Sequence, residues 1–143
     1  MNNKGFSLIE LIVTISILSI VFALVVPKLD SGFAYLDKMA NEFTMDVRYV
    51  QMESMKKPAS GYKISIDKSK GCYYVYKNTV VEKTVEFEQR YNIDYTNANM
   101  DTIGFTYEGM PVNAGTFSIL DTKTNEIKEV SIVPTTGRTI IKE

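Results

Sequence analysis

The sequence of 143 residues contains no histidine, no tryptophan and a single cysteine, Cys72. One cysteine cannot form a disulfide within the chain, so the fold must be held by its apolar core or by neighbouring molecules. The lack of histidine removes the commonest metal ligand and the usual proton shuttle. With 16 basic and 17 acidic residues, the net charge is close to zero and does not indicate nucleic acid or an acidic ligand.

The sequence also lacks the common signatures of catalysis. It has no metal-ligand spacing, no nucleophile paired with a base, no nucleotide-binding loop and no calcium loop. Six acids could supply a pair of carboxylates, although any β-rich surface of this size carries some acids. These acids are Glu82, Glu86, Glu88, Asp94, Asp101 and Glu108. We therefore interpret the chain as a protein that is not an enzyme and has no cofactor and no metal site.

The longest apolar run, residues 6–26, contains only one charged residue, Glu10. As a helix, this run would be roughly 31 Å long, close to the ~30 Å hydrocarbon core of a bilayer, so we predict a membrane-spanning helix. An ionised carboxylate inside such a helix costs at least ~2.5–3.5 kcal/mol and is usually functional and paired. If the bond after Gly5 is cleaved, the new amino group of Phe6 lies in the same apolar layer as Glu10.

Residues 5–11 read Gly-Phe-Ser-Leu-Ile-Glu-Leu and follow a short leader that contains a lysine. This stretch resembles the processing and assembly motif of type IV pilins and type II secretion pseudopilins. In that family the leader ends in glycine, a phenylalanine follows, the fifth mature residue is glutamate, and a proline ends the apolar helix. The resemblance implies cleavage between Gly5 and Phe6 by a prepilin peptidase, then methylation of Phe6. It also implies that Glu10 directs assembly and that Pro27 kinks the helix.

Two simpler interpretations of the apolar run explain it less well. A secretory signal peptide has an apolar core of about 7–15 residues and a small-residue cleavage site, whereas this run is longer and no such site follows Val26. A plain signal anchor fits the length but gives Glu10 no role. Lys4 favours a cytoplasmic N-terminus, although Lys28 opposes that bias. The resemblance implies this same single-pass orientation in the cytoplasmic membrane, with the head outside, and then a filament at the cell surface or in the periplasm.

Residues 28–57 predict a helical segment that continues the first helix. An apolar stripe recurs at steps of three and four residues, as on one face of a helix that packs against a sheet. The stripe comprises Phe33, Leu36, Ala40, Phe43, Val47 and Val50. We expect four charged residues to point away from it, namely Asp37, Lys38, Glu42 and Asp46. We expect the flanking methionines to fill gaps in the core; these are Met39, Met45, Met52 and Met55. The result would be one long helix of ~50 residues, bent at Pro27 and Gly32.

After Gly61 the apolar period changes to two, which predicts strands separated by turn-forming residues. The predicted strands are residues 62–66, 72–76, 80–81, 85–87, 91–95, 102–107, 116–120, 127–133 and 139–141. A long N-terminal helix followed only by strands predicts an α+β fold, in which the second half of the helix packs on antiparallel sheets. The resemblance likewise implies a pilin-like fold.

The predicted organisation has three parts. Residues 1–5 form the leader, residues 6–27 form the transmembrane and assembly helix, and residues 28–143 form a globular head. The head combines the helix of residues 28–57 with the β-rich residues 62–143.

Glycines in the second half of the head indicate a subgroup of the family. Their pattern resembles the head of H-type minor pseudopilins and of minor pilins in pili and competence systems. It comprises Ile103-Gly104-Phe105, Gly109, Ala114-Gly115-Thr116 and Gly137-Arg138. Each glycine also has a purely structural explanation, a turn or bulge with unusual backbone angles. The resemblance implies four partners: the prepilin peptidase, other pilins or pseudopilins of the filament, an inner-membrane assembly platform and membrane lipid.

Lysines and tyrosines are concentrated in residues 56–77. Basic side chains with aromatic ones can bind nucleic acid through phosphate contacts and stacking, while a solvated strand face with buried tyrosines explains the same pattern. The candidate DNA contacts are Lys56, Lys57, Lys63, Lys68, Lys70 and Arg138. The sequence therefore leaves two functions. One is a structural filament subunit in secretion, pilus biogenesis or competence, and the other is a DNA-binding minor pilin of a DNA-uptake machine.

Overall fold

The computed structural model describes residues 7–25, 32–57, 61–96 and 101–142. The chain divides into two compact units, Met1–Ser31 and Gly32–Glu143. The first unit contains helix α1, Leu8–Val25, and the second begins with helix α2, Gly32–Lys56. Because residues 26–31 lie outside the described residues, the continuous bent helix stays a prediction.

Within the described residues, eight strands follow α2, and each predicted strand is present. Their bounds are β1 Tyr62–Asp67, β2 Cys72–Lys77, β3 Val80–Glu86, β4 Tyr91–Tyr95, β5 Thr102–Gly104, β6 Thr116–Asp121, β7 Ile127–Ile132 and β8 Thr139–Lys142. They form two antiparallel four-stranded sheets, with the orders β3-β2-β1-β5 and β4-β6-β7-β8. The predicted α+β fold is therefore confirmed. Two predicted pieces merge into β3, and β5 is shorter than expected because the chain turns back after Gly104 and bridges Phe105 to Pro111.

The apolar stripe of α2 is buried as predicted. Leu36, Ala40, Phe43, Val47 and Val50 are each at most 2% exposed. The burial of the Phe33 side chain lies outside the described residues.

The core is continuous between the two sheets, and α2 joins them. The Phe43 ring stacks on Phe117 of β6, with ring centroids 4.0 Å apart, and meets the edge of Tyr73 of β2 at 5.2 Å. All three side chains have no exposed surface. A single aromatic ring on the helix therefore touches both sheets.

Two expectations for the flanks of this stripe are wrong. Asp46 is only 9% exposed instead of pointing into solvent. It accepts a hydrogen bond from the Tyr73 hydroxyl at 2.7 Å and pairs with the Lys83 ammonium at 2.8 Å. Burial opposes the charge on Lys83, but its hydrogen bonds to Asp46 and Glu42 outweigh that effect and raise the Lys83 pKa. The buried carboxylate is thus compensated by partners from two strands.

The second correction concerns the methionines. Met39 is buried, but Met45, Met52 and Met55 are 62%, 50% and 54% exposed. They do not fill gaps in the core, because the sheets cover only one side of α2.

Two loops close over the C-terminal part of α2, at a point where only glycine fits. Gly137 has a φ of 66°, and a Cβ on it would lie 2.6 Å from the Gly109 carbonyl oxygen and 2.5 Å from the Gln51 amide nitrogen. That amide donates hydrogen bonds to the carbonyl oxygens of Gly109 at 2.7 Å and Thr136 at 3.3 Å. The structural explanation of Gly137 therefore holds, since a side chain would separate loops that share one helix residue.

Candidate functional site

Glu10 lies in the first turn of α1, where it forms a reciprocal cap with Ser7. The Ser7 backbone N–H donates to Glu10 Oε2 at 2.9 Å, and the Glu10 backbone N–H donates to Ser7 Oγ at 3.3 Å. This arrangement is a capping box, which satisfies two backbone donors that the start of a helix leaves unpaired. The Ser-x-x-Glu spacing is a sequence signature of this cap. The assembly role predicted for Glu10 rests on its position in the apolar run and does not take the cap into account.

The rest of α1 is suited to an apolar environment. Its 18 residues have a mean hydropathy of 2.7, and the helix is long and apolar enough to cross a membrane. The hydroxyls of Thr14, Ser16 and Ser19 donate to backbone carbonyls three or four residues earlier, at 2.9, 2.7 and 2.8 Å. Because of these internal hydrogen bonds, the hydroxyls need no hydrogen-bond partner from solvent. Glu10 is the one residue of this helix with an ionisable side chain.

Three residues predicted to act in processing or in the helix kink cannot be compared with the structure. Gly5, Phe6 and Pro27 lie outside the described residues, as does the rest of the leader, residues 1–5. Cleavage, methylation and the helix kink therefore stay predictions, and of the residues to which the resemblance gives a role only Glu10 has a described environment.

The predicted basic residues lie on several elements of the head. Lys56 pairs with Glu53 within α2, and Lys57 follows that helix as an exposed residue. Arg138 is exposed in the loop between β7 and β8. Lys63 is on β1, with its ammonium 5.5 Å from the centroid of the Tyr76 ring.

Lys68 and Lys70 lie together in the turn between β1 and β2, and both pair with carboxylates. Lys68 forms an ion pair with Asp94 of β4, and its ammonium lies 3.7 Å from the Tyr95 ring centroid. Lys70 lies 3.4 Å from Asp67. The hydroxyl of Ser69 and the backbone N–H of Lys70 also bind Asp67, which lowers the pKa of Asp67. The carboxylate therefore stays ionised beside the lysines.

The tyrosines of this region divide between the two faces of the first sheet. Tyr73, opposite Ile66 of β1, faces the core and is fully buried. Tyr74 and Tyr76, opposite Ser65 and Lys63, lie on the other face and are half-buried. The prediction that several of these tyrosines enter the core therefore holds fully only for Tyr73.

The outer face of the first sheet and the β1–β2 turn enclose an open groove of about 680 Å³. We call it the outer groove. Of the six predicted basic contacts, only Lys68 and Lys70 line it. Its other lining residues are Ser65, Ile66, Asp67, Ser69, Tyr74, Tyr76 and Tyr95. Sequence reasoning did not find this groove, because Tyr95 comes from the second sheet. Within the described residues, no cluster of three or more cysteine, aspartate or glutamate side chains could hold a metal ion.

Comparisons with known proteins found similarity in sequence at the N-terminus and similarity in fold. Residues 1–26 match the model of the prokaryotic N-terminal methylation motif. No curated protein matches the chain in sequence. Among solved structures, the minor pseudopilin EpsH from the type 2 secretion system of Vibrio cholerae is similar, with a TM-score of 0.56 and 14% sequence identity. The similarity covers 75% of this chain and 95% of that structure. The methylation motif at the N-terminus and the pilin-like α+β fold agree with the predicted resemblance to type IV pilins and pseudopilins.

Proposed function

We propose that the chain is a minor pseudopilin or minor pilin, a structural subunit of a type IV pilus-like filament. The observation that carries this proposal is an apolar helix, long enough to span a bilayer, whose one charge is the carboxylate of Glu10. The methylation motif over residues 1–26 and the fold shared with a minor pseudopilin support it. Before assembly, the subunit would reside in the cytoplasmic membrane, with its N-terminus on the cytoplasmic side and its head on the outer side. The assembly platform would then add it to a filament.

The cap on Glu10 is compatible with a role in assembly. A carboxylate has two oxygens and about four sites that accept hydrogen bonds, and the Ser7 N–H uses one site on Oε2. Glu10 can therefore keep its cap while it pairs with the free amino group of Phe6, in its own chain or in a neighbour. In a low-dielectric layer such a pair attracts far more strongly than in water. This pairing would set the position of each new subunit in the filament.

The first experiment tests processing. We expect a prepilin peptidase to cleave the bond between Gly5 and Phe6, after which Phe6 is methylated. The intact mass of protein extracted from the membranes of cells with the peptidase measures both changes. A Gly5→Ala variant should be cleaved more readily than Gly5→Leu, because a bulky side chain must enter the cleft of the peptidase. A chain that still begins at Met1 in such cells would refute the proposal.

The second experiment tests Glu10 and separates its charge from its cap. Glutamine can replace glutamate in a capping box, so Glu10→Gln removes the charge and keeps a capping side chain. Ser7→Ala removes the serine side of the cap and keeps the charge. We expect Glu10→Gln and Glu10→Ala to lose incorporation into sheared filaments, since an unpaired buried charge typically costs about 3–5 kcal/mol. Ser7→Ala should still be incorporated.

Thr14→Val serves as a control, because it also removes a polar group from α1. All these variants should insert into the membrane and fold their heads normally. Normal incorporation of both Glu10 variants would show that this carboxylate is not an assembly contact. Loss with Glu10→Ala and Ser7→Ala but not with Glu10→Gln would assign Glu10 to the cap alone.

A role in DNA uptake stays a second hypothesis. It draws on the lysines and tyrosines of residues 56–77, but Lys56, Lys68 and Lys70 each pair with an acid. Phosphate binding depends on cations that are available to neutralise the backbone, so these pairs weaken the case. A gel shift with duplex DNA at several salt concentrations tests this role directly.

A further inference from the structure

The outer groove has a composition that is unusual for the exposed face of a sheet. Such faces normally carry polar side chains that point into water. Here Tyr74 and Tyr76 occupy alternate positions of β2, with ring centroids 6.1 Å apart and a tilt of 55° between the rings. Both rings are half-buried and line the groove with Tyr95 from the other sheet. Neither Tyr74 nor Tyr76 belongs to the core cluster, so core packing does not explain them.

The two lysines that line this groove each pair with a carboxylate. Lys68 pairs with Asp94, and Lys70 pairs with Asp67. A ligand that is a strong polyanion would meet a carboxylate beside each of these lysines. Polyanion binding gains its free energy by releasing counterions from the phosphates that cations neutralise, so a groove of closed ion pairs is poorly suited to it.

The same side chains suit a ligand that is rich in hydroxyl groups. Lysine ammonium groups donate hydrogen bonds, carboxylates accept them, and the hydroxyls of serine and tyrosine do both. Tyrosine has an ordinary pKa of about 10, and the Cys72 side chain raises the pKa of Tyr74 further, so its phenol is protonated at neutral pH and can donate as well as accept. The tyrosine rings add flat apolar faces with a polar tip. A sugar ring presents the matching surface, with C–H groups on its face and hydroxyls around its edge.

We propose that the outer groove binds a polysaccharide of neutral or weakly acidic sugars. Tyr74 and Tyr76 stack against sugar faces, while Lys68 and Lys70, with their carboxylate partners, hydrogen-bond the hydroxyls. The groove is large enough for a short stretch of such a chain, since binding pockets of about 300–1,000 Å³ hold molecules of a few rings. The head of the subunit would then contact a glycan surface, a role separate from filament assembly through α1.

Isothermal titration of the full-length protein tests this proposal, in a detergent whose headgroup contains no sugar. The probes are short oligomers of N-acetylglucosamine, glucose and galacturonic acid, together with a single-stranded thymidine oligonucleotide. We expect at least one sugar oligomer to bind with an affinity that changes less than threefold between low and high salt. Tyr76→Ala should weaken binding at least tenfold, and Tyr76→Phe should retain most of it because the ring stays.

Tyr107→Ala is the matched control, because Tyr107 is 62% exposed and lies outside the groove. The Tyr107→Ala variant should bind the sugar oligomer with the same affinity as the unaltered chain. Thermal unfolding checks that every variant is folded. If Tyr76→Ala fails this check, Tyr74→Ala takes its place. Three results would overturn the proposal: no binding of any sugar oligomer, sugar binding that these tyrosine variants leave unchanged, or preferential binding of the oligonucleotide that weakens steeply with salt.

Discussion

Replacing Phe43 by alanine tests how the head is held together. Phe43 has no exposed surface and contacts Tyr73 of the first sheet and Phe117 of the second. Truncation of a buried phenylalanine costs about 3–5 kcal/mol. Aromatic pairs add about 0.5–1.5 kcal/mol each beyond the area that they bury. Because Phe43 has two such contacts, we expect a loss in the upper half of that range, about 4–5 kcal/mol.

The assay is thermal unfolding of Gly32–Glu143, followed by circular dichroism. We expect this unit to fold without α1 and to be monomeric, because its own sheets cover the apolar stripe of α2. For a domain of this size, 1 kcal/mol corresponds to roughly 4 °C, so Phe43→Ala should lower the melting temperature by about 15–20 °C. The large shift follows from the position of the ring between two sheets, where neither sheet can close the cavity alone.

Met45→Ala is the control, since Met45 lies two residues further along α2 and is 62% exposed. It should change the free energy of unfolding by no more than about 0.5 kcal/mol. A double variant with Phe117→Leu should cost less than the sum of the two single changes, because the rings share one contact. A fall of less than about 5 °C for Phe43→Ala, or a fall equal to that of Met45→Ala, would refute this account of the core.

Two further predictions concern buried polar contacts. Tyr73→Phe removes the hydroxyl that donates to Asp46 at 2.7 Å, and urea unfolding should show a loss of about 1.5–3 kcal/mol, typical of a hydrogen bond to a charged group; an unchanged midpoint would contradict it. The Arg90 guanidinium binds Asp121 at 2.7 and 2.5 Å and lowers its pKa to about 2. Because the folded pKa lies below the unfolded value of about 3.9, the stabilisation is present above pH ~4 and is lost as the pH falls towards 2. Over this range, the melting temperature should depend less on pH for Asp121→Asn than for the unaltered protein. Equal pH dependence in both proteins would contradict the assignment.

The sequence alone determined those features that depend on neighbouring residues. The apolar run with its isolated Glu10 predicts a membrane helix, and the steps of three and four from Leu36 to Val50 predict the buried face of α2. The alternation after Gly61 predicts the strands, because strand side chains point to opposite faces in turn. The capping box of Ser7 is also local, and its spacing is readable without a structure.

Only the tertiary structure decided which residues depart from these patterns and which distant side chains they contact. Asp46 adjoins the stripe of α2 and is buried because Tyr73 and Lys83, 27 and 37 residues away, supply its partners. The alternation of β2 places Tyr74 on the outer face, but only the packing of the second sheet brings Tyr95 into the same groove. A periodic pattern records which side of an element is apolar. Which distant side chain meets that element depends on how the sheets pair and pack, and that information is spread over the whole chain.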